Sequence, residues 1–75
     1  MIMQEFKGKV IWFNNNRGYG FITWNKGNVV QKDLFVHYTD IICEGYKSLK
    51  KDQVVKFKLG VNNNNVPKAI EVTTV

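Results

Sequence analysis

The sequence has few of the residues that build catalytic and metal sites. Its 75 residues include one cysteine, one histidine and one proline. Cys43 alone cannot form an internal disulfide bond, and without cysteine or histidine companions at ligand spacing it makes no zinc site. His37 has no serine or cysteine nucleophile with a third orienting group near it in the sequence. We therefore expect no enzymatic activity, no metal and no cofactor.

Long apolar runs are also missing, since none approaches the roughly 20 residues that a membrane helix requires. Residues 1–4 lack the charged flank and long apolar centre of a secretion signal. We expect a cytoplasmic protein with no membrane partner and no small-molecule substrate. At this length residues 1–75 are expected to form one domain, and we expect a monomer.

Basic residues are in excess. Eleven Lys and Arg against six Asp and Glu give a formal net charge of +5. This surplus favours polyanions through counterion release, but it also suits an anionic membrane surface or an ordinary basic protein. Charge alone does not identify the partner.

Alternating apolar and polar residues predict five short strands separated by asparagine-rich turns. The residues that the alternation places inward are Phe6, Val10, Ile22, Leu34, Val36, Val55, Phe57, Leu59, Ile70 and Val72. We expect Trp24 to pack at a strand end and Leu49 to turn inward. Thr39 could be the N-cap of a short 3₁₀ turn, and no longer helix is expected. The sequence thus predicts an all-β, five-stranded antiparallel barrel.

The segment from Asn16 to Ile22 carries the strongest functional signal. If it is extended from Arg17 onward, then Arg17, Tyr19 and Phe21 share one face, opposite two glycines and Ile22. A guanidinium is rarely buried without a partner, so this face should be exposed to solvent, together with its two rings. Bases of single-stranded nucleic acid stack on such rings.

A second strand repeats the pattern. Leu34 and Val36 form its apolar face, while Asp33, Phe35 and His37 lie opposite. Strand aromatics more often belong to a core, but the inward set already supplies one, and the charged neighbours favour exposure. Two such strands side by side would form a continuous aromatic surface.

The position of Trp12 is left open by the pattern. The exposed Lys7 and Lys9 set the register of the first strand, and strict alternation from them places Trp12 inside. A β-bulge or strong coiling would instead rotate Trp12 and Phe13 toward the outer face.

Three segments together resemble the cold-shock protein family, which has an OB-fold. Gly8–Asn14 resembles its opening motif, Arg17–Ile22 its first ribonucleoprotein motif, and Asp33–Tyr38 its second. The resemblance implies a base-stacking platform formed by Trp12, Phe13, Tyr19, Phe21, Phe35, His37, Tyr38 and Tyr46. It further implies that Arg17 and Lys9 attract phosphates and that Asp33 hydrogen-bonds base edges. Ile11 and Asn65 depart from the family pattern, because they replace common basic residues.

The resemblance implies a protein that binds single-stranded RNA and DNA and acts as an RNA chaperone. The alternative is an OB-fold module, similar to those of translation factors, that recognises structured ribosomal RNA.

Overall fold

The computed structural model describes residues 4–43, 45 and 47–75. Within these residues the backbone forms six strands and one 3₁₀ helix. In chain order they are β1 Glu5–Asn14, β2 Tyr19–Lys26, β3 Val29–Val30, β4 Leu34–His37, the 3₁₀ helix Tyr38–Asp40, β5 Val54–Val61 and β6 Pro67–Thr74.

The sheet closes on itself into a barrel. Its strand order is β1-β5-β6-β4-β2-β3, and a further pairing between β1 and β2 joins the ends. Five strands therefore form the closed barrel, and β3 is a two-residue extension paired only with the end of β2. The predicted five-stranded all-β barrel is confirmed. Its pairings are antiparallel except that between β4 and β6, which is parallel.

The barrel interior is filled by apolar side chains from the five barrel strands and from the connection between the 3₁₀ helix and β5. They are Val10, Ile22, Trp24, Leu34, Val36, Ile41, Leu49, Val55, Phe57, Ala69 and Val72. Phe6 and Leu59 pack against this core while remaining partly exposed. Trp24 packs edge-on against Phe6 and Phe57, and its indole Nε1 donates a hydrogen bond of 3.2 Å to the Lys32 carbonyl.

Strand β6 departs from the predicted alternation. Ala69 and Val72 are both fully buried although two residues lie between them, whereas Ile70 is only half-buried. Glu71 has a φ of 48°, and the register with β5 shifts between Lys56 and Lys58. This irregularity inserts an extra residue between the two inward positions. The prediction of Ile70 as a core residue is corrected to Ala69.

The turn between β1 and β2 is held by Asn14. Its Oδ1 accepts hydrogen bonds from the backbone N–H of Asn16, at 3.0 Å, and of Arg17, at 2.9 Å. Gly18 follows with a φ of 77°. Arg17 therefore lies in the turn and not in β2, contrary to the predicted extended segment, so strand alternation does not determine the direction of its side chain.

The 3₁₀ helix forms where one was predicted, but its N-cap is His37 and not Thr39. The imidazole Nδ1 of His37 lies 2.9 Å from the Thr39 hydroxyl and accepts from the Thr39 N–H. In the part of the chain that the structure describes, no helix has the length and apolarity needed to cross a membrane.

Candidate nucleic-acid interface

A bulge in β1 decides the direction of Trp12. Val10 pairs with Ile22 of β2, and Trp12 pairs with Phe21, so Ile11 is an extra residue in β1. The bulge resets the alternation, and Trp12 is 41% exposed on the outside of the barrel. The alternative that the sequence left open is thereby settled for Trp12. Ile11 itself is half-buried.

The register between β2 and β4 aligns two pairs of outward-facing rings. Tyr19 lies opposite His37, and Phe21 lies opposite Phe35. The pairs that alternate with them, Gly20 with Val36 and Ile22 with Leu34, are buried. Because successive residues of a strand point to opposite faces, this register collects the four rings on the outer face.

The outward rings touch one another in a continuous series, which we call the ring row. Its members are Trp12, Tyr19, Phe21, Phe35, His37 and Tyr38. Ring centroids are 5.5 Å apart for Trp12 and Tyr19, 5.4 Å for Trp12 and Phe21, 5.9 Å for Tyr19 and Phe35, 6.0 Å for Phe21 and Phe35, 6.3 Å for Phe35 and His37, and 4.6 Å for His37 and Tyr38. These separations lie within the range of aromatic contacts.

Two glycines permit the close approach of chain segments beneath the ring row. A Cβ on Gly20 would collide with the Trp12 carbonyl and would lie 2.8 Å from the Phe13 Cα. A Cβ on Gly18 would collide with the Tyr38 ring. Only residues without side chains let β2 and its preceding turn pass so close to β1 and to the 3₁₀ helix.

The ring row remains accessible to solvent. Trp12 and Tyr38 are 41% and 45% exposed, and the four rings between them are partly buried. The core is filled by other side chains, so these rings are not required there. A series of rings held in fixed contact can stack planar, apolar ligands over several positions.

Polar groups lie beside the ring row at two places, one at its middle and one at its Tyr38 end. Asp33 lines a hollow of about 490 Å³ together with Phe21 and Phe35. Arg17 lines a second hollow, of about 450 Å³, together with Tyr38 and Lys47. The structure thus brings the predicted carboxylate and guanidinium next to the rings, at separate places.

Other predicted site residues lie apart from the ring row. Phe13 pairs with Gly20, and its ring packs against the core. Lys9 lines a different hollow, which it shares with Lys7. Tyr46 lies outside the described residues. Asn65, which replaces a common basic residue of the resembled family, occupies the β5–β6 turn with a φ of 61°, a conformation that asparagine tolerates.

Sequence reasoning missed Lys68. Its backbone pairs with Phe35 across the parallel contact of β4 and β6, so it lies beside the centre of the ring row. Its ammonium forms an ion pair with Asp40 of the 3₁₀ helix. These contacts depend on which strands meet when the barrel closes, and local patterning carries no signal for that.

Metal ligation was not expected from the sequence. Across residues 4–43, 45 and 47–75, no group of three or more His, Cys, Asp or Glu side chains is placed to hold an ion.

The chain matches known proteins along most of its length. Residues 6–75 match the family described as the 'Cold-shock' DNA-binding domain. Cold shock protein CspB of Geobacillus stearothermophilus is 48% identical over 66 residues, which cover 88% of this chain and 92% of that protein. Cold shock protein CspD of Bacillus subtilis is 48% identical over 65 residues, covering 87% and 91%.

A longer relative contains the same region as a part. Cold shock domain-containing protein 4 of Arabidopsis thaliana is 46% identical over 67 residues, which cover 89% of this chain but 32% of that protein. The chain therefore spans about a third of this relative. Matches over nearly all of the barrel place the chain in the 'Cold-shock' DNA-binding domain family, a family of nucleic-acid-binding domains.

Proposed function

We propose that this domain binds single-stranded RNA and DNA on the ring row and acts in the cytoplasm as an RNA chaperone. Unpaired bases stack on the rings, and no catalytic step is involved. The observation that carries the proposal is the continuous contact of six partly exposed rings on the outer face of β1, β2, β4 and the 3₁₀ helix. Stacking on aromatic side chains tolerates any base, because every base has a π-face.

The chaperone activity follows from mass action. Each stacked base contributes roughly 1–3 kcal/mol, so several bases held together compete with the stacking that holds a weak RNA hairpin closed. A duplex cannot offer its bases to the rings while they remain paired. Free protein therefore shifts weak hairpins toward the open strand.

The hollow beside Asp33 suits the edge of a stacked base. Asp33 provides a carboxylate acceptor next to Phe21 and Phe35, and Gln31 lines the same hollow. Arg17 and Lys47, at the hollow beside Tyr38, provide positive charge for phosphate groups. Their separation lets one strand contact both while its bases cover the rings.

The test compares the binding of short oligothymidine by wild-type protein and by Phe35→Ala, followed by fluorescence anisotropy. Loss of one stacking contact should raise Kd by about 5- to 150-fold, the equivalent of roughly 1–3 kcal/mol. Val30→Ala is the control, because Val30 is an exposed apolar residue of β3 away from the rings. Equal affinity of wild type and Phe35→Ala contradicts the proposal.

Two further measurements test the strand preference and the chaperone activity. Wild-type protein should bind a single strand much more tightly than the corresponding duplex, and it should open a weak fluorescent stem-loop where Phe35→Ala does not. Tighter binding to structured RNA than to unstructured strands would instead support a module that recognises structured ribosomal RNA.

A further inference from the structure

Two lysines face each other on the outer surface of β1 and β5. In the antiparallel register Lys7 lies directly opposite Lys56. Opposed side chains have Cβ atoms about 4.5–5.5 Å apart, and like charges at that distance are destabilising. On its other side Lys56 pairs with Thr73, which is neutral. The β1–β5 pair therefore places two positive charges together without an intervening carboxylate.

Ion pairs do not relieve this repulsion within the described residues. The salt bridges found there join Lys58 to Glu71 and Lys68 to Asp40, and neither involves Lys7, Lys9 or Lys56. Glu5, the nearest carboxylate along β1, pairs in register with Lys58. As far as residues 4–43, 45 and 47–75 are concerned, these three ammonium groups are therefore available to an external anion.

Lys9 continues the same positively charged surface toward the rings. It lies two residues beyond Lys7 on the same face and opposite Thr23 of β2. A hollow of about 370 Å³ lies along this part of β1, and its lining is Lys7, Gly8, Lys9, Thr23, Trp24, Asn25 and Val54. The lining offers ammonium, hydroxyl and amide groups and no carboxylate, which suits a phosphate-rich ligand.

The outer faces of β1 and β2 lead from the hollow to the ring row. On β1 the outer face runs from Lys7 through Lys9 to Trp12, and on β2 it runs from Thr23 to Phe21. Alternate residues of a strand are about 6.7 Å apart, comparable with the spacing of successive phosphates in an extended single strand. A strand leaving the rings at Trp12 would thus meet one ammonium after another.

We propose that Lys7, Lys9 and Lys56, the lysine track, bind the sugar-phosphate backbone of a single nucleic-acid strand where it leaves the ring row at Trp12. This inference rests on the proposed function. It adds the path that the nucleic-acid strand takes beyond Trp12, and it lengthens the stretch of strand that the protein contacts. Continuity with the rings favours nucleic acid over an acidic protein or an anionic membrane. The bound phosphates also neutralise the opposed charges of Lys7 and Lys56.

The experiment uses two lengths of oligothymidine. OB-folds bind about 4–16 nucleotides, so a strand of about 6 nucleotides occupies the rings and one of about 12 also reaches the track. The variant is Lys7→Gln/Lys56→Gln. Its control is Lys50→Gln/Lys51→Gln, which removes the same charge from two exposed lysines that lie before β5 and outside the lysine track.

Binding of the longer strand to the track variant should weaken several-fold, whereas binding of the shorter strand should change by less than about twofold. The slope of log K against log salt for the longer strand should fall by about 1.4, since each phosphate contact to a single strand contributes about 0.7. The control should lose little affinity and show no dependence on length.

Equal losses in both double variants at both lengths would overturn the track, because they would indicate a diffuse field. The track would also be overturned if wild-type protein bound the shorter and the longer strand with the same affinity and the same slope of log K against log salt. The proposal would also be overturned if Lys7→Gln/Lys56→Gln bound polyglutamate or anionic vesicles more weakly than wild type but bound the longer strand equally well. The track would then belong to another polyanion. Failure of the proposed function gives a different result: Phe35→Ala then binds the shorter strand as wild type does.

Discussion

Lys68 and Asp40 form an ion pair that joins β6 to the 3₁₀ helix, with Lys68 Nζ 3.1 Å from Asp40 Oδ2. Their side chains are only 25% and 18% exposed. Asp40 Oδ2 is enclosed and accepts no hydrogen bond from the described residues. The positive charge of the Lys68 ammonium therefore offsets the cost of burying this carboxylate oxygen. The 3₁₀ helix carries Tyr38, and the ion pair therefore helps to hold one end of the ring row.

Lys68→Met should lower the free energy of unfolding by about 1–2 kcal/mol, because it leaves the enclosed carboxylate of Asp40 without its partner. Water reaches part of both side chains, so it offsets some of this loss but not all of it. Urea unfolding at neutral pH measures the change. Lys51→Met, at an exposed turn position, should change stability by less than about 0.5 kcal/mol. Equal effects of the two substitutions would show that the ion pair does not contribute.

The two tryptophans should differ in their accessibility to a quencher. Trp12 is 41% exposed and Trp24 is 7% exposed. Acrylamide should quench Trp24→Phe, which retains Trp12, more steeply than Trp12→Phe, and the emission of Trp24→Phe should lie at longer wavelength. Circular dichroism spectra of the two variants serve as the control for folding. Similar quenching of the two folded variants would contradict the outward direction of Trp12.

Gly20→Ala should destabilise the barrel by about 1–3 kcal/mol, since the added methyl group meets the Trp12 carbonyl and the backbone of Phe13. Thermal and urea unfolding measure this loss. Gly27→Asn is the matched control: nothing lies within 4 Å of a Cβ there, and asparagine tolerates the φ of 63°. A control variant as unstable as Gly20→Ala would argue against close strand approach as the cause.

Lys7→Glu should raise the free energy of unfolding by about 0.2–1 kcal/mol at low salt, because it replaces the repulsion of Lys56 with an attraction across β1 and β5. Added salt should reduce this gain. Lys51→Glu makes the same change in net charge at an exposed turn position. If it stabilises the protein equally, the gain comes from net charge and not from the pair.

Residue patterning predicted the barrel because each long strand has one buried face. Val55 and Phe57, for example, are fully buried where alternation placed them. The pattern failed where a strand gained a residue. The bulge at Ile11 and the left-handed Glu71 each shift the alternation by one position, and neither residue type announces such a shift.

The rings of the site were predicted more fully than its polar surroundings. Tyr19, Phe21 and Phe35 lie on regular strands, so their direction followed from period-two alternation. Arg17 lies in a turn, and its position came from side-chain hydrogen bonding by Asn14. Lys68 meets Phe35 only through barrel closure, a relationship between distant segments that local sequence does not contain.

The parallel contact of β4 and β6 has the fewest paired residues of any strand junction in the barrel. A single register pair, Phe35 with Lys68, joins these strands, whereas six pairs join β1 to β2. Local opening of the barrel should begin between β4 and β6, because the fewest backbone pairings hold the strands together there. A ligand that contacts both Phe35 and the adjoining edge of β6 would hold these two strands together. Its binding would therefore raise the free energy of unfolding.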